Sequence, residues 1–84
     1  KIRFCGRIYS IDKISGIFVL ENNIVKVSCI PRNKDMVKDL KVGEKVRVFG
    51  RIIKMSEEAE IDVHLIQRIK IDLKIYNKIL QKIL

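Results

Sequence analysis

From Ile2 to Ile8 the chain alternates, with Ile2, Phe4, Gly6 and Ile8 on one side and Arg3, Cys5, Arg7 and Tyr9 on the other. A period of two is the mark of a half-buried strand. Glycine in mid-strand gives up packing and marks a bend or bulge, so Gly6 predicts a strand that curls. Asp12, Lys13, Ser15 and Gly16 read as a loop. A second strand, Ile17 to Glu21, meets a third, Ile24 to Ile30, across Asn22-Asn23, whose side chains tolerate the positive φ of a tight hairpin. The two are expected to be antiparallel neighbours. Pro31 ends the third strand, and Asn33 is placed to cap a helix of about two turns, with Met36, Val37 and Leu40 on one face. Val42-Gly43-Glu44 turns into a fourth strand, where Val46, Val48, Gly50 and Ile52 alternate with Arg47, Phe49, Arg51 and Ile53. A polar connection, Met55 to Glu60, leads to a fifth strand with Ile61, Val63 and Leu65 facing inward, running to about Ile69.

The last stretch changes period. Leu73, Tyr76, Leu80, Ile83 and Leu84 recur at helical spacing, widened by Ile75 and Ile79, and Asp72 complements the dipole at the helix start. The apolar arc covers about half the circumference, more than the roughly 100° stripe needed against one core. Leu73, Tyr76, Leu80 and Ile83 are therefore expected to carry self-association or contact with a protein partner. The prediction is an all-β chain with helical additions: five strands, a short helix between the third and fourth, and an amphipathic C-terminal helix over 72–84.

Eighty-four residues allow one domain, with strands over 1–70 and the helix after them. The 18 Lys and Arg against 10 Asp and Glu give +8, which points to an anionic partner. The excess is localised: residues 1–54 hold 13 basic and 5 acidic groups, while 55–84 hold 5 of each. Sixteen Ile and twelve Lys fit an AT-rich coding sequence or adaptation to heat. No apolar run approaches the roughly 18 residues of a membrane span, so no membrane partner is expected. No charged, apolar leader precedes the first strand, so no secretory signal is expected.

Two Cys and one His cannot build a four-ligand zinc site from those side chains alone, and Cys5 and Cys29 lack CxxC spacing, so neither a metal nor another cofactor is expected. Both Cys fall in strands and read as buried or half-buried free thiols in a reducing compartment, the cytoplasm or, in a eukaryote, the nucleus; a disulfide between them stays open. Asp62 and His64 share one strand face, which would suit a carboxylate-oriented base and equally an ordinary polar face. With no GxSxG, glycine-rich phosphate loop or HExxH, no catalytic residue is expected and the chain reads as a non-enzyme.

Five strands, two of them broken by a central Gly, with a short helix between the third and fourth, resemble an OB-fold barrel. The segment Leu40 to Ile52, LKVGEKVRVFGRI, resembles the helix-to-strand-four passage of such domains, and Phe4-Cys5-Gly6-Arg7-Ile8 their first strand. With the terminal helix appended, the layout is similar to the small and middle subunits of replication protein A, single-stranded DNA-binding proteins. The resemblance implies a nucleic-acid path over strands two and three. By position the contacts would be Lys26, Ser28 and Ile30, with Lys13 in the first flanking loop and Arg32 past strand three; Lys13, Lys26 and Arg32 would meet phosphates and make binding salt-dependent.

That face is poor in aromatic platforms, because Phe18 shares parity with Leu20 and is expected in the core. The second flanking loop, with Glu57, Glu58 and Glu60, repels a phosphate backbone. A richer surface follows if strands one and four pair, with Arg3, Arg7, Arg47 and Arg51 outside and Tyr9 and Phe49 between them. Arg with aromatics suits nucleic acid and also protein interfaces, and a solvated strand face gives the same pattern. The expected function is a single-stranded nucleic-acid-binding module of replication or repair that assembles through its terminal helix. The alternatives are a scaffold subunit with little nucleic-acid affinity and an RNA-binding domain, such as one that reads tRNA. A hydrolase built on Asp62 and His64 is a remote fourth.

Overall fold

The computed structural model describes residues 1–55 and 58–69. Five strands, β1 (Ile2–Ile11), β2 (Phe18–Glu21), β3 (Lys26–Pro31), β4 (Lys45–Lys54) and β5 (Ala59–Arg68), close into a barrel in the order β1-β2-β3-β5-β4. All neighbours are antiparallel except β3 and β5, which run parallel. This topology is consistent with an OB-type fold. The terminal helix expected over 72–84 lies outside the described residues, and no helix among those described is long and apolar enough to cross a membrane.

Closure depends on β1 serving two sheets. Its first half pairs with β4, from Ile2 opposite Gly50 to Arg7 opposite Lys45, and its second half pairs with β2, from Arg7 opposite Glu21 to Ile11 opposite Phe18. Gly6 sits where the strand passes from one partner to the other. A Cβ there would stand 2.8 Å from the carbonyl oxygen of Glu21 and 3.3 Å from Leu20 Cβ. The curl read from Gly6 thus has a steric cause, the close approach of β1 to β2. Beyond it Tyr9 is an extra residue in the β1–β2 ladder, a bulge that adds twist. Gly50 is tighter still, since a Cβ would overlap the carbonyl oxygen of Asp62.

Ile8, Phe18, Leu20, Val27, Cys29, Val46, Val48, Ile61 and Val63 fill the interior. Fully burying side chains of this size contributes about 1.5–3 kcal/mol each, against the entropy of ordering them. Phe18 is among them, as its parity with Leu20 requires. Val37 and Leu40 close the floor of the barrel, positioned by a single 3-10 turn, Lys34–Val37.

Several elements depart from the sequence reading. The two-turn helix contracts to that 3-10 turn, and Asn33 enters it extended with no side-chain capping bond. Burying Val37 and Leu40 in the floor takes one turn, so packing needs no second one. The β2–β3 connection is four residues, not two: Glu21 pairs with Lys26, and Asn22 Oδ1 accepts from the amides of Ile24 (2.8 Å) and Val25 (2.9 Å). Asn22 therefore organises the turn by Asx bonds. Ile17 and Ile24 fall outside the strands and are exposed. In β5 the residue His64 is inserted between the pairs Phe49–Leu65 and Gly50–Val63, so parity flips: Leu65 points outward and Ile66 packs on the core. Ile52 is likewise partly exposed, at the barrel mouth.

Candidate nucleic-acid interface

On the β2–β3 face Val19 stands opposite Ser28 and Glu21 opposite Lys26, with Ile30 further along β3. With Phe18 in the core, this face is aliphatic and acidic. Ser28 Oγ donates to Glu58 Oε1 at 3.2 Å, and the β5 neighbour of Ser28 is Glu60. Carboxylates from the β4–β5 connection and β5 thus surround the serine that the resemblance offers to nucleic acid; Glu57 lies outside the described residues. Lys26 does face outward, with its ammonium 3.9 Å from the centroid of the Tyr9 ring. Tyr9 thereby leaves the surface assigned to it: past Arg7 the strand no longer borders β4, and the bulge sets Tyr9 beside β2 and β3.

Lys13 is used differently from the expectation. Its ammonium donates to the carbonyl of Leu40 at 3.3 Å, tying the β1–β2 loop to the barrel floor. Asp12 shapes that loop, Oδ1 accepting from the amides of Ile14 (2.9 Å) and Ser15 (3.4 Å). These bonds, led by the one from Ile14, hold its carboxyl below the ordinary carboxylate value. Arg32 is exposed just beyond β3. Lys26, Ser28 and Ile30 therefore share one face, Arg32 borders it, and Lys13 is committed elsewhere.

The outer face of β1, β4 and β5 is more coherent. Its rows are Arg3, Phe49 and Leu65; then Cys5, Arg47 and Gln67; then Arg7 and Lys45. Arg3, Arg7 and Lys45 are exposed, while Arg47 and Phe49 are half-buried. The ion pairs among the described residues are His64 with Asp62 and Arg68 with Glu44, so none of these four cations is neutralised there. Arg47 Nε is buried and makes no hydrogen bond among the described residues. A guanidinium N–H in that state is costly until an acceptor reaches it. Arg51, exposed and two residues past Phe49 in the same alternation, extends this face by one row, where it stands opposite Asp62.

Lys45, Leu65 and Gln67 belong to this surface and were not singled out from sequence. Extending the β4 alternation back by two from Arg47 reaches Lys45, whereas Leu65 and Gln67 were hidden by the shift of parity at His64. Cys5 is a free thiol exposed between Arg3 and Arg7, not the buried or half-buried one expected. Cys29 is free and buried, and desolvation pushes its pKa up to about 12. His64 Nε2 lies 3.3 Å from Asp62 Oδ2, both part-buried on the outer strand face. Leu73, Tyr76, Leu80 and Ile83, expected to carry assembly, lie outside the described residues.

No family model matches the chain, and no curated protein does. Among solved structures it is similar to the hypothetical protein ygiW from E. coli, with a TM-score of 0.63 and 17% identity over 81% of this chain and 73% of that one. At that identity the likeness concerns the fold alone. An OB-like barrel is compatible with binding either nucleic acid or protein.

Proposed function

We propose that the chain is a non-catalytic, single-stranded nucleic-acid-binding barrel whose contact surface is the outer face of β1, β4 and β5. The observation that carries this reading is the set of Arg3, Arg7, Lys45 and Arg47 on adjacent strands, with no carboxylate paired to them among the described residues and Phe49 between them. Guanidinium forks bind phosphate oxygens, and a half-buried aromatic edge among them offers a stacking surface. The β2–β3 path implied by the resemblance has less to offer, because Glu21, Glu58 and Glu60 border Lys26 and Ser28. The Asp62–His64 contact lies beside the β5 bulge, opposite Arg51, and this reading gives it no catalytic part. A place in replication or repair, with assembly through Leu73, Tyr76, Leu80 and Ile83, rests on the layout of the sequence and follows only if oligomers bind.

The test is fluorescence anisotropy of labelled oligo-dT and oligo-rU at several salt concentrations. Binding should weaken linearly with log salt, each neutralised phosphate on a single strand contributing about 0.7 to the slope. Arg3→Ala/Arg47→Ala should lower that slope by about one and a half, whereas Lys26→Ala/Arg32→Ala should leave it nearly unchanged. No binding at low salt removes the proposal and leaves the scaffold reading. A larger loss in Lys26→Ala/Arg32→Ala than in Arg3→Ala/Arg47→Ala returns the path to β2 and β3, and the ratio of the two oligomers separates DNA from RNA.

A further inference from the structure

Among the described residues, β1 is paired on both sides in its second half and on one side only in its first. Ile2 to Gly6 have β4 on one side, but β2 ends at Glu21, opposite Arg7, and no strand among the described residues continues it. The direction of the unpaired groups follows from Ile8, which donates to the carbonyl of Glu44 at 2.9 Å and accepts from the amide of Gly43 at 2.8 Å. Its backbone faces the β4 side. With a period of two, Gly6, Phe4 and Ile2 face the same way, and the N–H and C=O groups of Arg3 and Cys5 face the open edge.

Two clefts flank this edge. One, of about 750 Å³, includes Cys5, Arg7, Glu21, Asn22 and Lys45; the other, of about 800 Å³, includes Ile2, Phe4, Val25, Ile52 and Met55. Both lie within the roughly 300–1,000 Å³ typical of binding pockets. The strand edge therefore divides a charged outer cleft from an apolar inner one, as a strand added there would be divided. Ile24, at 88% exposure, and Met55, at 72%, leave a large apolar area at the mouth.

We infer that this edge accepts an extended segment of a protein partner as a sixth strand, one in which apolar residues alternate with acidic ones. Residues opposite Ile2 and Phe4 share their inward face and enter the apolar cleft. A residue opposite Arg3 shares its outward face, where a carboxylate meets an unneutralised guanidinium. The barrel already sets Glu21 opposite Arg7, four residues further along the same strand face. Backbone bonds to Arg3 and Cys5 supply affinity, and the alternation supplies selectivity.

The test uses the nitrogen-15-labelled full chain and a capped heptapeptide, Glu-Val-Glu-Val-Glu-Val-Glu. Its amide spectrum should shift at Arg3 and Cys5, and solvent exchange of those two amides should slow by about tenfold or more at saturation. Lys in place of Glu should weaken binding about tenfold, and Arg3→Glu should narrow that preference. N-methylation of the peptide amides that face the edge should abolish binding. Shifts centred on Lys26 and Ser28, equal binding of the N-methylated peptide, or no shift at about millimolar peptide would each overturn the inference. A bound oligonucleotide brings no ladder and leaves the Arg3 and Cys5 amides exchanging, so this result is independent of the nucleic-acid reading.

Discussion

Gly50 has less room than any other glycine in the described residues, because the backbone carbonyl oxygen its missing Cβ would strike lies closer than the one facing Gly6, and neither can rotate away. Gly50→Ala is expected to cost at or above the top of the roughly 1–3 kcal/mol of an overpacked core site, and Gly6→Ala less, since 2.8 Å to the Glu21 oxygen asks for a smaller shift. Denaturant midpoints of the two variants check the order. Asp12 offers a pH test at the same scale. Its folded-state pKa is depressed by the amides of Ile14 and Ser15, so its contribution is present above the unfolded value and is lost as pH falls through the lower folded one. The stability difference between the wild type and Asp12→Ala should therefore be constant near neutrality and shrink only below about pH 3.8, measured by denaturation across the acid range.

At the scale of elements, the β5 bulge separates what alternation could reveal from what it could not. Leu65→Ala is expected to change stability by no more than about 0.5 kcal/mol, as at an exposed site, while Ile61→Ala should cost about 2–5 kcal/mol. A simple alternation through β5 treats the two alike, so the pair of denaturation curves tests the register. The five strands, their order and most of the core were legible because a period of two survives wherever one face is buried, and Phe18 followed from Leu20 by parity alone. Inserted residues at Tyr9, Ile53 and His64 were not legible, since nothing local marks an extra residue in one strand of a ladder. The candidate site suffered from the same blindness: Arg3, Arg47 and Phe49 were found, Tyr9 was misplaced, and Leu65 and Gln67 were missed. Lys13 shows a different limit, because its acceptor, the Leu40 carbonyl, is 27 residues away.

For the whole molecule, closure sorts charge that is mixed along the chain. Arg3, Arg7, Lys45 and Arg47 gather on one wall, bordered at Arg7 by Glu21 of β2, while Glu58 and Glu60 lie beside β3. A net charge of +8 thus becomes a directional field that orients an approaching anion toward β1 and β4. The ladder that collects those cations has a further consequence. Ile2 enters opposite Gly50, and Ile69 leaves with its amide on the carbonyl of Lys45, at the other end of the same three strands. Tension applied between Lys1 and Ile69 therefore runs along β1, β4 and β5 and loads their bonds together, in shear, rather than one at a time as in unzipping. Pulled at those points in an optical trap, the barrel should yield in one abrupt high-force event, and pulled between Asn23 and Ile69 it should peel open at lower force. A domain held this way resists mechanical extraction out of proportion to its equilibrium stability, because forced unfolding follows the barrier rather than the free-energy difference.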